Sequence, residues 1–266
     1  MKVKGRVIVV TGGGNGIGRE VALELLRRGA WVAAVDIRPE SLAETESLAG
    51  GGDRLATFAV DITDRSATGA LPAQINQAVG AVDGVVNVAG IIQPFVPIND
   101  LSYEAIDRVI DVNLYGTIHM IKAFLPILLE RPEAHIVNVS SMGGFLPVPG
   151  QSIYGATKAA VKLMSEGLYA ELLDTEVGVT VVMPGAVATE ISQNSGVSIE
   201  VDSEQESSFP TTSPDDAAEI IVDGMEADRL HVHVGRDSLM MSLLNRAAPK
   251  QSTHLIRRQM KDLLEM

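Results

Sequence analysis

The sequence predicts an α/β fold, a single doubly wound parallel sheet with helices on both faces. Short runs rich in Val, Ile and Ala alternate with longer amphipathic stretches through residues 6–235, patterns typical of strands and helices. The strand runs are almost continuously apolar, as expected where helices cover both faces of a parallel sheet. A glycine-rich stretch at 11–18 lies between the first strand and the first helix. Regular strand–helix alternation of this kind indicates a doubly wound sheet.

Seven strands are predicted from the apolar runs. They are residues 6–11, 31–35, 56–60, 83–88, 134–139, 179–183 and 231–235. Helical periodicity fills the intervals at 19–28, 41–48, 67–79, 103–129, 153–174 and 214–227. The first helix is typical, because Val21, Ala22 and Leu25 fall on one face and Gly29 ends it.

One domain of residues 1–235 is expected, followed by a C-terminal extension at 236–266 with two amphipathic helical pieces. With 266 residues, 46% of them hydrophobic, the chain can bury one large core. The segment 189–212 is polar and lacks periodicity. Long loops of this kind are commonly functional, so we expect a lid over a binding site there.

Composition argues against several classes of function. A formal net charge of −13 repels a phosphate backbone, so nucleic acid is not expected as a partner. The chain has no cysteine, which excludes disulfides and thiolate metal sites and agrees with a reducing, cytoplasmic location. No apolar run reaches the roughly 18 residues of a membrane span, and the N-terminus lacks the pattern of a signal peptide. We therefore expect no integral membrane association.

The glycine-rich stretch has the spacing G-x-x-x-G-x-G on Gly12, Gly16 and Gly18. Glycines permit a tight turn and let the backbone approach a pyrophosphate, while the N-terminus of the following helix supplies free N–H groups. Its position between a strand and a helix favours a dinucleotide site, which the glycines alone would not establish.

Asp36 ends the second predicted strand, where a carboxylate can accept hydrogen bonds from the adenosine ribose. The same charge would repel a 2′-phosphate, so NAD(H) is expected rather than NADP(H). Arg38 lies two residues further on and could soften that preference. The alternative is that Asp36 caps a turn before Pro39.

Tyr154 and Lys158 stand four residues apart in a predicted helix and therefore share one face. A free tyrosine has a pKa of about 10, and a nearby ammonium group favours the phenolate. Ser141 follows the strand at 134–139, and ligands bind at such strand ends in parallel sheets. The Tyr–Lys pair alone is a weak signal, and its position in the fold makes it a candidate for proton transfer.

Together these motifs resemble the classical short-chain dehydrogenase/reductase family. The resemblance covers about residues 5–190 and depends on TGGGNGIG at 11–18, NVAG at 87–90, YGATK at 154–158 and PGAVAT at 184–189, together with Asp36, Asp61, Asn113 and Ser141. One departure is Asn87-Val88, where the family usually has two asparagines. The resemblance implies a Rossmann-like fold and an oxidoreductase that transfers hydride between NAD(H) and a secondary alcohol or ketone.

The resemblance also implies a role for each matched residue. Tyr154 would exchange the proton of the substrate oxygen, and Ser141 would hydrogen-bond that oxygen, with Ser140 structural. Lys158 would lower the pKa of Tyr154 and bind the nicotinamide ribose, and Asn113 would hold a water in a proton relay. The expected cofactor-binding residues, besides Tyr154 and Lys158, are Gly12, Asn15, Gly16, Ile17, Gly18, Asp36, Asp61, Ile62, Asn87, Ala89, Gly90, Pro184, Gly185, Val187 and Thr189.

Each role has a simpler alternative when taken singly. Asn113 could be satisfied locally within its helix, Ser141 could cap the following turn, and Thr189 could be an ordinary loop hydroxyl. His231 and His233 share one side of the last strand but lack an apparent third ligand, so no metal is expected. The acidic stretch at 200–206 is interpreted as a solvated loop, and the basic tail leaves peripheral membrane contact as a minor alternative.

The residues expected to line the substrate site are mostly apolar. They are Ile91, Ile92, Phe95, Met142, Gly143, Val148, Gln151 and Ile191. A site of this composition predicts a small hydrophobic alcohol or ketone as the substrate. The family resemblance implies a homodimer or homotetramer formed through the two long helices at 103–129 and 153–174. Two alternatives remain at this point: an NADP(H)-dependent carbonyl reductase and a non-catalytic dinucleotide sensor.

Overall fold

The computed structural model describes residues 1–189, 191–197 and 211–260. In this part of the chain seven parallel strands form one sheet in the order β3-β2-β1-β4-β5-β6-β7. The strands are β1 Val7–Thr11, β2 Trp31–Asp36, β3 Leu55–Ala59, β4 Gly84–Asn87, β5 Ala134–Val139, β6 Val177–Pro184 and β7 His231–Val234. All seven predicted strands are present, and the predicted fold class is confirmed.

The helices of the described residues lie between and after these strands. They are α1 Gly16–Arg27, α2 Pro39–Leu48, α3 Arg65–Ala78, α4 Tyr103–Ile110, α5 Thr117–Leu128, α6 Ser152–Glu171, α7 Ile191–Asn194, α8 Pro214–Glu226, α9 Arg236–Ala247 and α10 Pro249–Gln259. Within the ranges that the structure covers, none of these helices is both long enough and apolar enough to cross a bilayer.

Two hydrophobic cores cover the two faces of the sheet. Successive strand residues point to opposite faces, so Ile8 and Val10 join one core while Val7 and Val9 join the other. Helices α1 and α8 close the first face, and α3, α5 and α6 close the second. This arrangement explains why the strands are apolar throughout.

The strand order reverses between β1 and β4. From β1 the chain runs outward through β2 to β3 and then returns to place β4 on the other side of β1. In doubly wound sheets a crevice opens at the carboxyl ends of the strands at such a point. The glycine-rich stretch follows β1, and residues 88–91 follow β4, so both segments border this crevice.

The predicted helix at 103–129 is interrupted, which periodicity did not reveal. A π-helical turn at Asp111–Gly116 separates α4 from α5. Such turns add one residue to an otherwise regular helix and are frequent at functional sites. Asn113 lies in this turn and is fully buried.

The segment expected to form a lid at 189–212 is described only in part. Residues 190 and 198–210 lie outside the described residues. Residues 191–194 form the short helix α7, although no helix was predicted there. The Ser195 hydroxyl accepts a hydrogen bond from the backbone of Ile92 at 3.0 Å, and Asn194 Oδ1 accepts one from Arg38 at 2.7 Å.

Candidate active site

The glycine-rich loop is built from close backbone contacts. Gly12 has φ +69°, and a Cβ on Gly18 would collide with the Gly12 carbonyl oxygen. A Cβ on Gly13 would come within 2.9 Å of the Ala34 Cβ on β2. The guanidinium of Arg19 donates to the Gly14 carbonyl at 2.5 and 3.0 Å and fixes the outer part of the loop. The loop therefore exposes backbone at the N-terminus of α1, which is the requirement for binding a pyrophosphate.

Asp36 lies at the end of β2 beside this loop. Its Oδ2 accepts a hydrogen bond from the Gly14 amide at 3.1 Å, and its Oδ1 accepts one from the Arg38 amide at 3.1 Å. The Arg38 Nε lies 3.9 Å from Oδ1. The carboxylate is thus held in place at the rim of the crevice with a guanidinium close to it.

A cleft of about 670 Å³ runs along the carboxyl ends of the strands at the switch point. That volume lies within the range of ligand pockets. Most of the predicted cofactor residues line it, namely Gly12, Asn15, Gly16, Ile17, Gly18, Asp36, Asp61, Ile62, Ala89, Gly90 and Thr189. The exposed loop backbone and the fixed carboxylate fit a dinucleotide cofactor.

Six predicted cofactor residues are not among the residues lining this cleft, and two of them, Tyr154 and Lys158, are described below. Asn87 is buried in the sheet, where its Nδ2 donates to Asn138 Oδ1 at 2.8 Å. Pro184, Gly185 and Val187 belong to the turn after β6, and the Gly185 amide donates to the Val234 carbonyl. Asn87 therefore joins two strands, so its side chain does not line the cleft as expected.

Lys158 and Asn113 meet behind the Gly90 wall of the cleft. A Cβ on Gly90 would lie 3.0 Å from Lys158 Nζ and 3.2 Å from Asn113 Oδ1. Asn113 exchanges two hydrogen bonds with the Ile91 backbone, accepting at 2.8 Å and donating at 2.9 Å. Lys158 Nζ donates to the Val139 carbonyl at 3.0 Å, and burial lowers the pKa of Lys158 to about 8. Its charge is therefore sensitive to pH near neutrality.

Tyr154 and Ser141 complete this group at the end of β5. Ser141 caps a short 3₁₀ turn, Met142–Gly144, by accepting the Gly143 amide at 3.0 Å. A Cβ on Gly143 would lie 3.3 Å from the Tyr154 ring and 3.4 Å from Ser141 Oγ. A side chain at position 143 would therefore contact both the phenol ring and the serine hydroxyl.

The pKa of Tyr154 differs from the sequence-based expectation. Burial raises it above its ordinary value, and a hydrogen bond from Ser141 acts in the opposite direction. Lys158 Nζ lies 6.0 Å from the centre of the tyrosine ring and points to the Val139 carbonyl. The Ser141 hydrogen bond therefore opposes the effect of burial on the Tyr154 pKa, while the Lys158 ammonium is hydrogen-bonded to the Val139 carbonyl.

Comparison with known proteins agrees with this geometry. The sequence profile of the short chain dehydrogenase family matches residues 6–198. The oxidoreductase-named protein SadH of Mycobacterium tuberculosis is 35% identical over 254 residues, which cover 91% of each chain. The chain belongs to the short-chain dehydrogenase/reductase family. It is accordingly an oxidoreductase of a family that uses NAD(P).

Two solved members of the family are similar over almost their whole length. A short-chain dehydrogenase/reductase from Burkholderia phymatum in complex with NAD is 25% identical, with a TM-score of 0.84 and coverage of 94% of this chain and 96% of that one. A short-chain dehydrogenase from Burkholderia cenocepacia in complex with NADP is 26% identical, with a TM-score of 0.81 and coverage of 96% and 99%.

Gln93 is a buried residue of this short-chain dehydrogenase that the sequence analysis missed. Its Oε1 accepts hydrogen bonds from the Ile153 and Tyr154 amides, both at 2.9 Å, at the start of α6. Its Nε2 donates to the Gly150 carbonyl at 2.8 Å. Gln93 thus satisfies free N–H groups of the helix that carries Tyr154. It lies outside every recognised motif, so no sequence signal indicated it.

The polar face of α4 is the second feature that the analysis missed. Residues at positions i, i+3, i+4 and i+7 of this helix share one face. Here Glu104, Asp107 and Arg108 of α4 line the cleft, together with Asp111, the first residue of the π-helical turn. Their spacing was readable in the sequence, but it resembled an ordinary solvated helix face.

The predicted substrate residues are placed on two sides of the site. Met142 and Val148 pack with Leu146 against helices α9 and α10. The Ile92 amide donates a hydrogen bond to the Ser195 hydroxyl. Gln151 is buried, and its Nε2 donates to the Gln93 carbonyl at 2.7 Å. Ile91 and Ile191 line the same cleft as the predicted cofactor residues, and their contact with a substrate stays a prediction.

The two histidines of β7 have partners within the protein. His231 Nε2 lies 2.7 Å from Glu166 Oε1, and His233 Nδ1 lies 2.9 Å from Ser238 Oγ. In the described ranges no group of three or more His, Cys, Asp or Glu side chains is arranged to hold a metal ion.

Proposed function

We propose that this short-chain dehydrogenase transfers hydride between NAD(H) and a hydrophobic secondary alcohol or ketone, with Tyr154 as the general acid and base. The observation that carries the proposal is a connected group of side chains. Tyr154 is hydrogen-bonded to Ser141, and Lys158 lies 6.0 Å from the Tyr154 ring and directly behind the Gly90 wall of the cleft. A dinucleotide in the cleft would have its nicotinamide end near this group if its adenosine ribose met Asp36.

The protein residues would supply the proton chemistry. The nicotinamide, when bound, supplies or accepts the hydride. In the reductive direction the Tyr154 hydroxyl donates its proton to the carbonyl oxygen, and Ser141 stabilises the charge that develops on that oxygen. In the oxidative direction the Tyr154 phenolate accepts the proton of the alcohol. The burial that raises the Tyr154 pKa keeps its proton in place for reduction at neutral pH.

Lys158 and Asn113 would position the nicotinamide side of the site. Lys158 Nζ lies behind Gly90, within reach of a ribose in the inner part of the cleft. Asn113 is held rigidly by its two hydrogen bonds with Ile91. A water relay through these two residues remains a proposal, since the Asn113 amide is already engaged with backbone.

Preference for NAD(H) is supported by the fixed carboxylate of Asp36. Its two backbone hydrogen bonds keep it at the cleft rim, where it would face the adenosine ribose. Arg38 supports the alternative cofactor NADP(H), because its guanidinium lines the same cleft. Arg38 is engaged with Asn194 and lies close to Asp36, which weakens its attraction for a 2′-phosphate.

A panel of apolar alcohols, including steroids and fatty alcohols, tests the function through NADH formation. The proposal expects turnover that increases with the apolar surface of the substrate. Tight NADH binding without turnover on alcohols or ketones would contradict it and favour the dinucleotide sensor.

Asp36→Asn should lower the ratio of the NADPH dissociation constant to the NADH dissociation constant by about tenfold. The substitution keeps an oxygen that can accept the Gly14 amide but removes the negative charge that repels a 2′-phosphate. Fluorescence titration of both cofactors measures the two dissociation constants. Asp53→Asn serves as the control, because it also removes one negative charge, from an exposed position outside the cleft. A wild-type protein that binds NADPH more tightly would refute the role of Asp36.

Ser141→Ala should lower turnover by about 100-fold and move the alkaline rise in alcohol oxidation to higher pH. Oxidation needs the deprotonated Tyr154, so its rate increases as pH approaches the tyrosine pKa. Loss of the Ser141 hydrogen bond leaves burial unopposed and raises that pKa further. The pH profile of kcat measures the change, with the exposed Ser152→Ala as control. An unchanged pH profile of kcat in Ser141→Ala would show that Ser141 does not affect the Tyr154 pKa.

Assembly through the long helices is also proposed. Leu163 and Tyr169 expose apolar surface along α6, and Tyr115 exposes it in the turn before α5; Leu163 is 70% exposed. Such surface is consistent with a homodimer or homotetramer. Sedimentation velocity would measure the state, and a monomer at micromolar concentration would contradict it.

A further inference from the structure

Helix α9 contacts both walls of the candidate active site through its two ends. Its first turn lies under the turn at 184–187, where cofactor residues were predicted. Its last turn lies against residues 142–146, which follow Ser141. The helix belongs to the C-terminal extension and lies outside the segment that the family profile matches.

At the N-terminal end, Asp237 and Ser238 hold the strand end and turn that lead to Thr189. Asp237 Oδ2 accepts the Ala186 amide at 2.8 Å. The fully buried Ser238 donates its hydroxyl to the Met183 carbonyl at 2.6 Å. A Cβ on Gly185 would collide with the Asp237 carboxylate, so the glycine permits this contact.

At the C-terminal end, Asn245 holds the segment behind the substrate side. Its Nδ2 donates to the Phe145 carbonyl at 2.8 Å. The fully buried Ser252 of α10 donates to Asn245 Oδ1 at 2.7 Å and orients the amide. Met241, between the two ends, is buried against Leu146.

We propose that α9 is a positioning element in which Asp237 orders the cofactor turn and Asn245 orders the substrate segment. This inference rests on the proposed function. Each of the two side chains contacts backbone of a loop that borders the site, and each contact is a single hydrogen bond. The two effects should therefore be separable: Asp237 acts on cofactor affinity, and Asn245 acts on the substrate.

The test compares variants at the two ends of α9 that remove or keep one hydrogen-bonding group. Asp237→Ala removes the acceptor for the Ala186 amide and should weaken NADH binding by about tenfold, a loss typical of a hydrogen bond to a charged group. Asp237→Asn keeps an acceptor oxygen and should recover most of this affinity. Asn245→Asp keeps the acceptor for Ser252 but lacks the donor for Phe145, so the KM for the alcohol should rise about tenfold with NADH affinity unchanged.

Met240→Gln is the matched control, because this side chain is 64% exposed on the same helix. It should change neither constant. Thermal midpoints of all variants separate positioning from folding. Asp237 variants that lower the midpoint but bind NADH like the wild type would overturn the proposal, as would an Asp237→Asn variant no better than Asp237→Ala.

The proposal would also be overturned if the Asp237 and Asn245 variants changed NADH affinity and the KM for the alcohol equally. In that case α9 would act only through the general stability of the protein. If the wild type shows no turnover on any alcohol or ketone, the proposed function fails. The NADH titration of the Asp237 variants still decides the cofactor half of the inference in that case.

Discussion

Tyr154→Phe should reduce turnover by on the order of 10³-fold while leaving NADH affinity within about twofold of the wild type. The substitution removes only the hydroxyl that we propose exchanges a proton with the substrate oxygen. The ring stays, so the contacts of α6 with Gly143 are preserved. Steady-state turnover with the best alcohol and fluorescence titration with NADH measure the two quantities.

Tyr169→Phe provides the matched control. Tyr169 is partly exposed and lies near the C-terminal end of α6, whereas Tyr154 lies near its N-terminal end. Its loss of a hydroxyl should leave turnover unchanged. Substantial turnover in Tyr154→Phe would exclude Tyr154 as the proton donor and leave Ser141 or water in that role.

Gly18→Ala should weaken NADH binding by about 100-fold. The added methyl collides with the Gly12 carbonyl oxygen, so α1 and the loop must separate to accommodate it. Overpacking of this kind costs about 1–3 kcal/mol, and the upper part of that range corresponds to about 100-fold in affinity. The displacement falls on the backbone that would contact the pyrophosphate, and calorimetric titration with NADH measures the loss.

Gly69→Ala is the control for this substitution. Gly69 lies in α3, and a Cβ there meets no atom within 4 Å. The change should leave NADH affinity unaltered and stabilise the helix slightly. If Gly18→Ala bound NADH as tightly as Gly69→Ala, the loop would not be the pyrophosphate site.

Much of the fold was readable because buried parallel strands leave a simple pattern. The run around Val9 is apolar on both faces, and its strand was predicted to within one residue. The cofactor loop was readable for a related reason, since only glycine tolerates the contact between Gly18 and Gly12. Asp36 followed from its place at a strand end.

Features that depend on contacts between distant segments were not readable. Gln93 meets the start of α6 some sixty residues later in the chain, and nothing local marks it. The Asp237 contact with Ala186 joins the extension to a turn fifty-one residues earlier. The cofactor role that a family motif suggested for Asn87 stays a prediction, while its hydrogen bond to Asn138 on the neighbouring strand is another distant contact that the local sequence does not show.

The π-helical turn at Asp111–Gly116 changes the relation between the two halves of a long helix. One additional residue in a helix of 3.6 residues per turn rotates everything beyond it by about a hundred degrees. In α5 that rotation directs Phe124 and Leu128 into the core. The widened turn itself carries Asn113, whose amide reaches the Ile91 backbone. Through this turn the helical segment 103–128 both packs against the core and supports the candidate active site.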